Sequence, residues 1–197
     1  MKKTITMGAM ILTTALTEVE AQTTTWAIDP SHTKVGFSVT HMMVAETEGK
    51  FKMYDGKVTS SKEDFTDAQI EFSIDVASIN TDDEKRDGHL KSPDFFDVEK
   101  FPKMKFKSKS FKKVADKKYK LSGELTIKDV TKAVEFDVIY NGTAQNPWTK
   151  AIVAGFKLDG TINRVDYGLK WNAALEAGGV IVGENVKIKC DVELNKK

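Results

Sequence analysis

Apolar and polar residues alternate with a period of two along most of this chain. Trp26-Ala27-Ile28-Asp29 reads as a short first strand, and Pro30-Ser31 turns the chain. Val35, Phe37 and Val39 then alternate with Gly36, Ser38 and Thr40. A weaker pattern between Gly49 and Ser60 holds Phe51, Met53 and a Tyr54-Asp55-Gly56 turn signal. Ile70, Phe72, Ile74 and Val76 make a clean run, and Met104, Phe106 and Ser108 resume it later. Tyr119, Leu121, Gly123, Leu125 and Ile127 form the next strand. Val134, Phe136, Val138 and Tyr140 form its partner across the turn Lys128-Asp129-Val130-Thr131, and Asn141-Gly142 ends that partner. Ile152, Ala154, Phe156, Leu158 and Ile162 make a long strand, and Val186 to Leu194 closes the chain.

A period of two sends successive side chains to opposite faces of a strand, which excludes amphipathic helices for most of the chain. A sheet with one apolar face must cover it. Closing the sheet on itself covers the face and removes exposed edges. The expected fold is therefore all-β, a barrel of about eight antiparallel strands, whose interior holds packed side chains or one slender ligand. A two-sheet sandwich satisfies the same pattern.

One stretch, Asn80 to Leu90, breaks the alternation and carries charge. Thr81 or Asp82 can cap a helix there, with acidic residues in the first turn. The reading is a short helix from Asp82 to Lys91, ended near Gly88 or by Ser92-Pro93. Phe95 and Phe96 follow on an irregular connection, where they either plug the core or line a pocket entrance.

Lys+Arg number 30 and Asp+Glu 29, for a net charge of +1, which argues against a dedicated nucleic-acid binder. Lys103, Lys105, Lys107 and Lys109 alternate with Met104, Phe106 and Ser108, as the wet face of an outer strand would. The single cysteine, Cys190, excludes an internal disulfide and a CxxC motif, and its place in an apolar alternation suits a buried thiol. Lys2 and Lys3, the mostly apolar run Ile5 to Leu16 and the small residues of Val19-Glu20-Ala21 have the layout of an export signal. The expected division is a signal peptide over residues 1–21, cleaved after Ala21, and one domain over residues 22–197, soluble in the periplasm or secreted.

The candidate polar groups are Asp29, His32, His41, Arg86, Asp87, His89, Arg164 and Asp166. Three histidines with Asp29 could make a zinc site, but their spacing matches no metal signature and no HExxH helix is present. Against a Ser-His-Asp hydrolase, the chain lacks a Gly-x-Ser-x-Gly elbow. No catalytic residue and no metal ligand is assigned. Arg86 and Asp87, with His89, either brace the insert against the barrel or face a ligand's polar head. Arg164, just past the long strand, either caps carbonyls or braces a neighbouring loop.

The motifs resemble those of one family. Trp26-x-Ile28-Asp29-x-x-His32 with Val35-x-Phe37-x-Val39-x-His41 is similar to the opening of the YceI-like lipid-binding proteins. Ser78-Ile79-Asn80-Thr81, Arg86-Asp87-x-His89-Leu90, Phe95-Phe96-Asp97 and Phe101-Pro102 resemble its central motif. Leu121-x-Gly123-x-Leu125-Thr126-Ile127-x-x-Val130-Thr131 and Arg164-x-Asp166-Tyr167-Gly168 resemble its later ones. Asp129 departs from the family's more usual glycine, and residues 172–183 look less family-like. The resemblance implies a lipocalin-like barrel with an elongated apolar cavity for a polyisoprenoid or quinone tail, and no established catalysis. No cofactor is expected beyond such a lipid.

The leading expectation is thus an exported isoprenoid-binding carrier or store. Its wall would draw on Val35, Phe37, Val39, Phe72, Ile74, Phe95, Phe96, Phe106, Leu121, Leu125, Phe136, Val138, Phe156 and Leu158. The partners expected are a hydrophobic small molecule, transient membrane contact and a second copy in a homodimer, with no nucleic acid. The alternatives are a hydrolase or metal enzyme on His32, His41, His89 and Asp29, and a dimeric module whose barrel is filled by its own side chains.

Overall fold

The computed structural model describes residues 22–176 and 178–197; the expected signal segment lies outside the described residues. Eleven β-segments form a single sheet: β1 (Thr24–Ile28), β2 (Lys34–His41), β3 (Ala45–Phe51), β4 (Tyr54–Ser60), β5 (Gln69–Asp75), β6 (Ile79–Asn80), β7 (Lys103–Ala115), β8 (Lys118–Ile127), β9 (Val130–Gln145), β10 (Ile152–Asn163) and β11 (Val182–Lys196). The one α-helix among the described residues, α1, spans Glu84–Lys91.

The sheet closes because β11 pairs with both ends of the chain's beginning. Trp26 faces Lys196 on β1, and Val35 faces Cys190 on β2. Segments β1 and β2 are therefore two halves of one strand. β3 and β4 are halves of the next, since β3 pairs with β2 and β4 with β1. β5 and β6 repeat the arrangement. Three broken strands and the five continuous ones, β7 to β11, make eight, all antiparallel and in chain order. This is the closed barrel, not the sandwich.

Each break is mended by a hydroxyl, because backbone groups lost from the ladder need other partners. At Asp29–Thr33, the Thr33 hydroxyl accepts from Glu193 N–H at 3.0 Å and donates to the Glu193 carbonyl at 3.3 Å. At Lys52-Met53, the Ser78 Oγ accepts both N–H groups at 3.1 and 3.0 Å. Tyr54-Asp55-Gly56 is accordingly not a turn: it opens β4, and the bend lies two residues earlier. Asn141-Gly142 does not end β9 either. Gly142 takes a φ of 125° beside a register shift at Gly155/Phe156, and the strand runs on to Gln145.

The helix begins at Glu84, two residues later than expected. Asp83, not Thr81 or Asp82, is the cap, with its Oδ1 accepting from Arg86 N–H at 3.0 Å. Gly88 lies inside the helix. Leu90 is its one large apolar residue, so polar bonds fix it in place. Asp87, buried, accepts from the Thr81 N–H and hydroxyl at 2.8 and 2.6 Å, while Arg86 donates to the Thr81 hydroxyl and carbonyl.

Candidate functional site

Two apolar clusters fill the barrel's ends. One gathers Trp26, Phe65, Phe111, Tyr119, Tyr140 and Phe156 where β7 turns into β8 and β9 into β10. Phe65 comes from loop 61–68, with ring centroids 5.1 Å from Trp26 and 5.2 Å from Phe156. The other gathers Phe51, Val76, Ile79, Phe95, Ile127, Tyr167 and Leu169 beneath α1.

Between them the barrel is not solid. Four inward positions are glycine, and each has a phenylalanine ring lying over it: Gly49 under Phe37, Gly56 under Phe72, Gly123 under Phe106 and Gly160 under Phe136. A Cβ at any of the four would collide with that ring. The missing side chains let the rings lie back against the wall, so the axis stays open. The result is a cavity of about 170 Å³. Val35, Phe72, Ile74, Phe106, Leu121, Leu125, Phe136, Val138, Phe156 and Leu158 all stand on its wall.

Phe37, Val39, Phe95 and Phe96 do not. Phe37 lies over Gly49 and tilts against Phe51, 5.7 Å away, and Val39 sits farther toward the β2–β3 tip. Phe95 is wedged between His89 and Trp171 at 5.0 and 5.3 Å, and Phe96 meets Phe51 edge-on. Both phenylalanines plug the end. The wall also includes Ile28, Val58, Ile70, Met104, Phe111, Ile188, Val192 and Leu194, together with Phe65 and Ala68 from the loop. The β-segment members follow the same alternation and were open to sequence reasoning. Phe65 gave no periodic signal.

Cys190 adds a thiol to the cavity wall beside the Met104 thioether. Burial pushes its thiol up to about 12, so it stays a neutral, inert part of the wall. Glu71 and Lys105 border the cavity from outward positions, and Glu71 pairs with Lys107 at 3.3 Å on the outer face. Lys103 and Lys109 likewise pair outside with Asp75 and Glu124. The lysine run is the wet face of β7.

The polar candidates fall into separate groups. Asp29, His32 and Glu193 meet at the β1–β2 break, with His32 Nδ1 at 3.1 Å from Asp29 and 3.6 Å from Glu193. Among the described residues this is the one group of three potential metal ligands, and it contains neither His41 nor His89. Asp29 is already supplied with donors: Ser31 N–H and Oγ–H, Asn195 Nδ2–H and the His32 ring. The Ser31 hydroxyl and the other bonds hold its carboxyl well below the usual range, and Asp29 in turn raises His32. That saturation makes the group a brace across the broken strand.

His89 contacts Asp94 at 3.0 Å and packs edge-on to Trp171. Arg164, buried, spends its guanidinium on the carbonyls of Leu169, Trp171, Val182 and Gly183. It caps carbonyls and braces a loop at once. His41 ends β2 on the surface and Asp166 is exposed. None of these polar candidates lines the cavity, whose facing side chains are almost all apolar and suited to an apolar chain.

Residues 26–194 match the YceI-like domain. The chain belongs to the YceI-like family. Among its relatives, UPF0312 protein SA2479 of Staphylococcus aureus is 39% identical over 172 residues, covering 87% of this chain and 98% of that one. The crystal structure of Burkholderia cenocepacia BcnA superposes with a TM-score of 0.71 at 25% identity, covering 84% of this chain and 98% of BcnA. A polyisoprenoid-binding domain from Saccharophagus degradans, implicated in plant cell wall breakdown, shares the fold at a TM-score of 0.61 and 12% identity, over 87% of this chain and 98% of that one. The match to the YceI-like domain begins at Trp26 and ends at Leu194, both within the β1–β11 pairing that closes the barrel.

Proposed function

We propose that this protein is an exported carrier that holds a polyisoprenoid, such as a quinone tail, inside the barrel. One observation carries the reading: a closed bore faced by apolar side chains and kept open by glycines under the Phe72, Phe106 and Phe136 rings. The polyisoprenoid-binding domain of S. degradans, which has the same fold, supports the choice of ligand class. Export rests on the residues before Gln22, with their two lysines, short apolar run and small residues near Ala21.

The energetics favour exchange over permanent capture. Each methylene removed from water gains about 0.8 kcal/mol. A prenyl chain is already out of water in a bilayer, so moving it into the bore changes little. The size of the bore adds a constraint. A protein cavity of about 150 Å³ holds a benzene molecule. The 170 Å³ open here therefore receives a short stretch of chain, and a longer one has to displace a side chain. Phe65 is the candidate. It closes one end, comes from a loop rather than the wall, and has a φ of 60°, an unfavourable conformation for a bulky residue.

Protein taken from its own host tests the reading. Native mass spectrometry is expected to show a fraction with an added lipid mass, and solvent extraction should release a prenyl compound. A protein that comes out empty and takes up no long-chain quinone from dispersion contradicts it.

A further inference from the structure

The barrel end that Phe65 closes also carries the most exposed tryptophan. Trp148 sits on the β9–β10 turn with 86% of its surface in solvent. The turn is held in shape: Asn146 Oδ1 accepts from the Trp148 and Thr149 N–H groups at 3.0 and 3.1 Å. Lysines surround it. Lys150 is on the same turn. Lys196 and Lys197 run beside it, since Val153 on β10 faces Asn195 on β11. Lys113, Lys117 and Lys118 flank the neighbouring β7–β8 turn with the exposed Val114. None of these six lysines is in an ion pair among the described residues, so their charges are free to meet an outside partner; Lys107, Lys109, Lys120, Lys157 and Lys187, farther along the strands, are each paired. The acids at this end are Asp116 and three on loop 61–68. Two of those turn inward to their own loop, Asp64 to Thr66 and Asp67 to Ser60, Ser61 and Lys62.

An indole at full exposure gains nothing from water, while at a membrane interface its ring sits among headgroups with its N–H still bonded. Unpaired lysines beside it gain from an anionic leaflet. We propose that this end of the barrel, Trp148 with the lysines of the β7–β8 and β9–β10 turns and the last residues of β11, docks on an anionic lipid bilayer. The inference rests on the carrier reading, since a carrier must bring one end of its bore to the membrane. It adds which end that is, the one where loop 61–68 and Phe65 separate the cavity from the surface.

Flotation with vesicles of phosphatidylcholine, with and without phosphatidylglycerol, tests it. The purified protein is expected to float only with the anionic vesicles, to lose binding as salt is added, and to show blue-shifted tryptophan emission when bound. Lys117→Glu with Lys118→Glu, or Lys196→Glu with Lys197→Glu, should each weaken binding by about tenfold or more. Trp148→Ala should weaken it and abolish the blue shift. Lys170→Glu, and Met43→Ser with Val44→Ser at the opposite end, should leave it unchanged. Equal binding to neutral vesicles, no binding, or a loss confined to the opposite-end variants overturns the proposal, as does retention of an acidic protein with indifference to vesicles. Uptake of a quinone from vesicle-free dispersion separates the two ideas. Uptake without vesicle binding refutes the docking face alone, and vesicle binding without uptake refutes the carrier alone.

Discussion

Gly160 and Gly123 both lie beneath a phenylalanine, yet substitution there should act differently. A Cβ at Gly160 meets only the Phe136 ring, which can swing into the bore. At Gly123 it meets the Lys107 backbone carbonyl as well, and that cannot move without disturbing the sheet. Gly160→Ala is therefore expected to fold, at a cost of about 1–3 kcal/mol, and to lose lipid uptake as Phe136 fills the cavity. Gly123→Ala should fail mainly in stability, and denaturant unfolding beside a quinone titration tells the two apart. The wall phenylalanines were legible from alternation because period two assigns a face. The role of the glycines was not, since it depends on a ring from the neighbouring strand. His32 gives a pH signature. Its pKa is raised by Asp29, so the pairing stabilises the fold fully below 6.5, the ordinary histidine value, and is lost as pH rises through the raised value. Proton NMR should place the His32 titration above 6.5, and Asp29→Asn should bring it down. A titration at or below 6.5 contradicts the brace.

At the scale of elements, side chains do what strands alone cannot. Arg164 satisfies four carbonyls at the base of two segments that meet through a short bridge at Ala174 and Val180. Arg164→Ala should cost about 3 kcal/mol or more in denaturant unfolding, because buried carbonyls lose their donor. Arg164→Lys should recover little, since an ammonium cannot span the same fork. Loop 61–68 is tied to Asp67. Burial pushes its carboxyl up, but bonds from Ser60, Ser61 and Lys62 outweigh that and hold it below the usual carboxylate range. Phe65→Ala should lose about 3 kcal/mol of stability and, by unplugging the bore, speed quinone uptake and admit longer chains. Unchanged uptake would remove Phe65 from the account. These elements were the least readable in the sequence. Loop 61–68 has no period, and the helix carries one large apolar residue, so only its capping chemistry announced it, with a start two residues early. The Tyr54-Asp55-Gly56 signal misled because the bend is set by Ser78, remote in sequence, binding Lys52 and Met53.

For the whole molecule, closure was the inference the alternation supported best, while the choice between barrel and sandwich required the pairing of β11 with both β1 and β2. The alternative site on His32, His41, His89 and Asp29 does not assemble, since only Asp29 and His32 come together. His32 lies in the β1–β2 break, His41 at the end of β2 and His89 on the helix, and each is occupied locally or exposed. The charged residues are thus spent on bracing the outside and the ends, and the interior is left to apolar contact. The central claim is that the space between Phe106, Phe136 and Ile188 is where a prenyl chain lies. A crystal structure grown with a long-chain isoprenoid quinone tests this most directly. The account requires continuous density along the bore, in contact with Phe72, Phe106 and Phe136 and reaching Phe65. An interior collapsed around its own rings, with the lipid elsewhere on the surface, would contradict it.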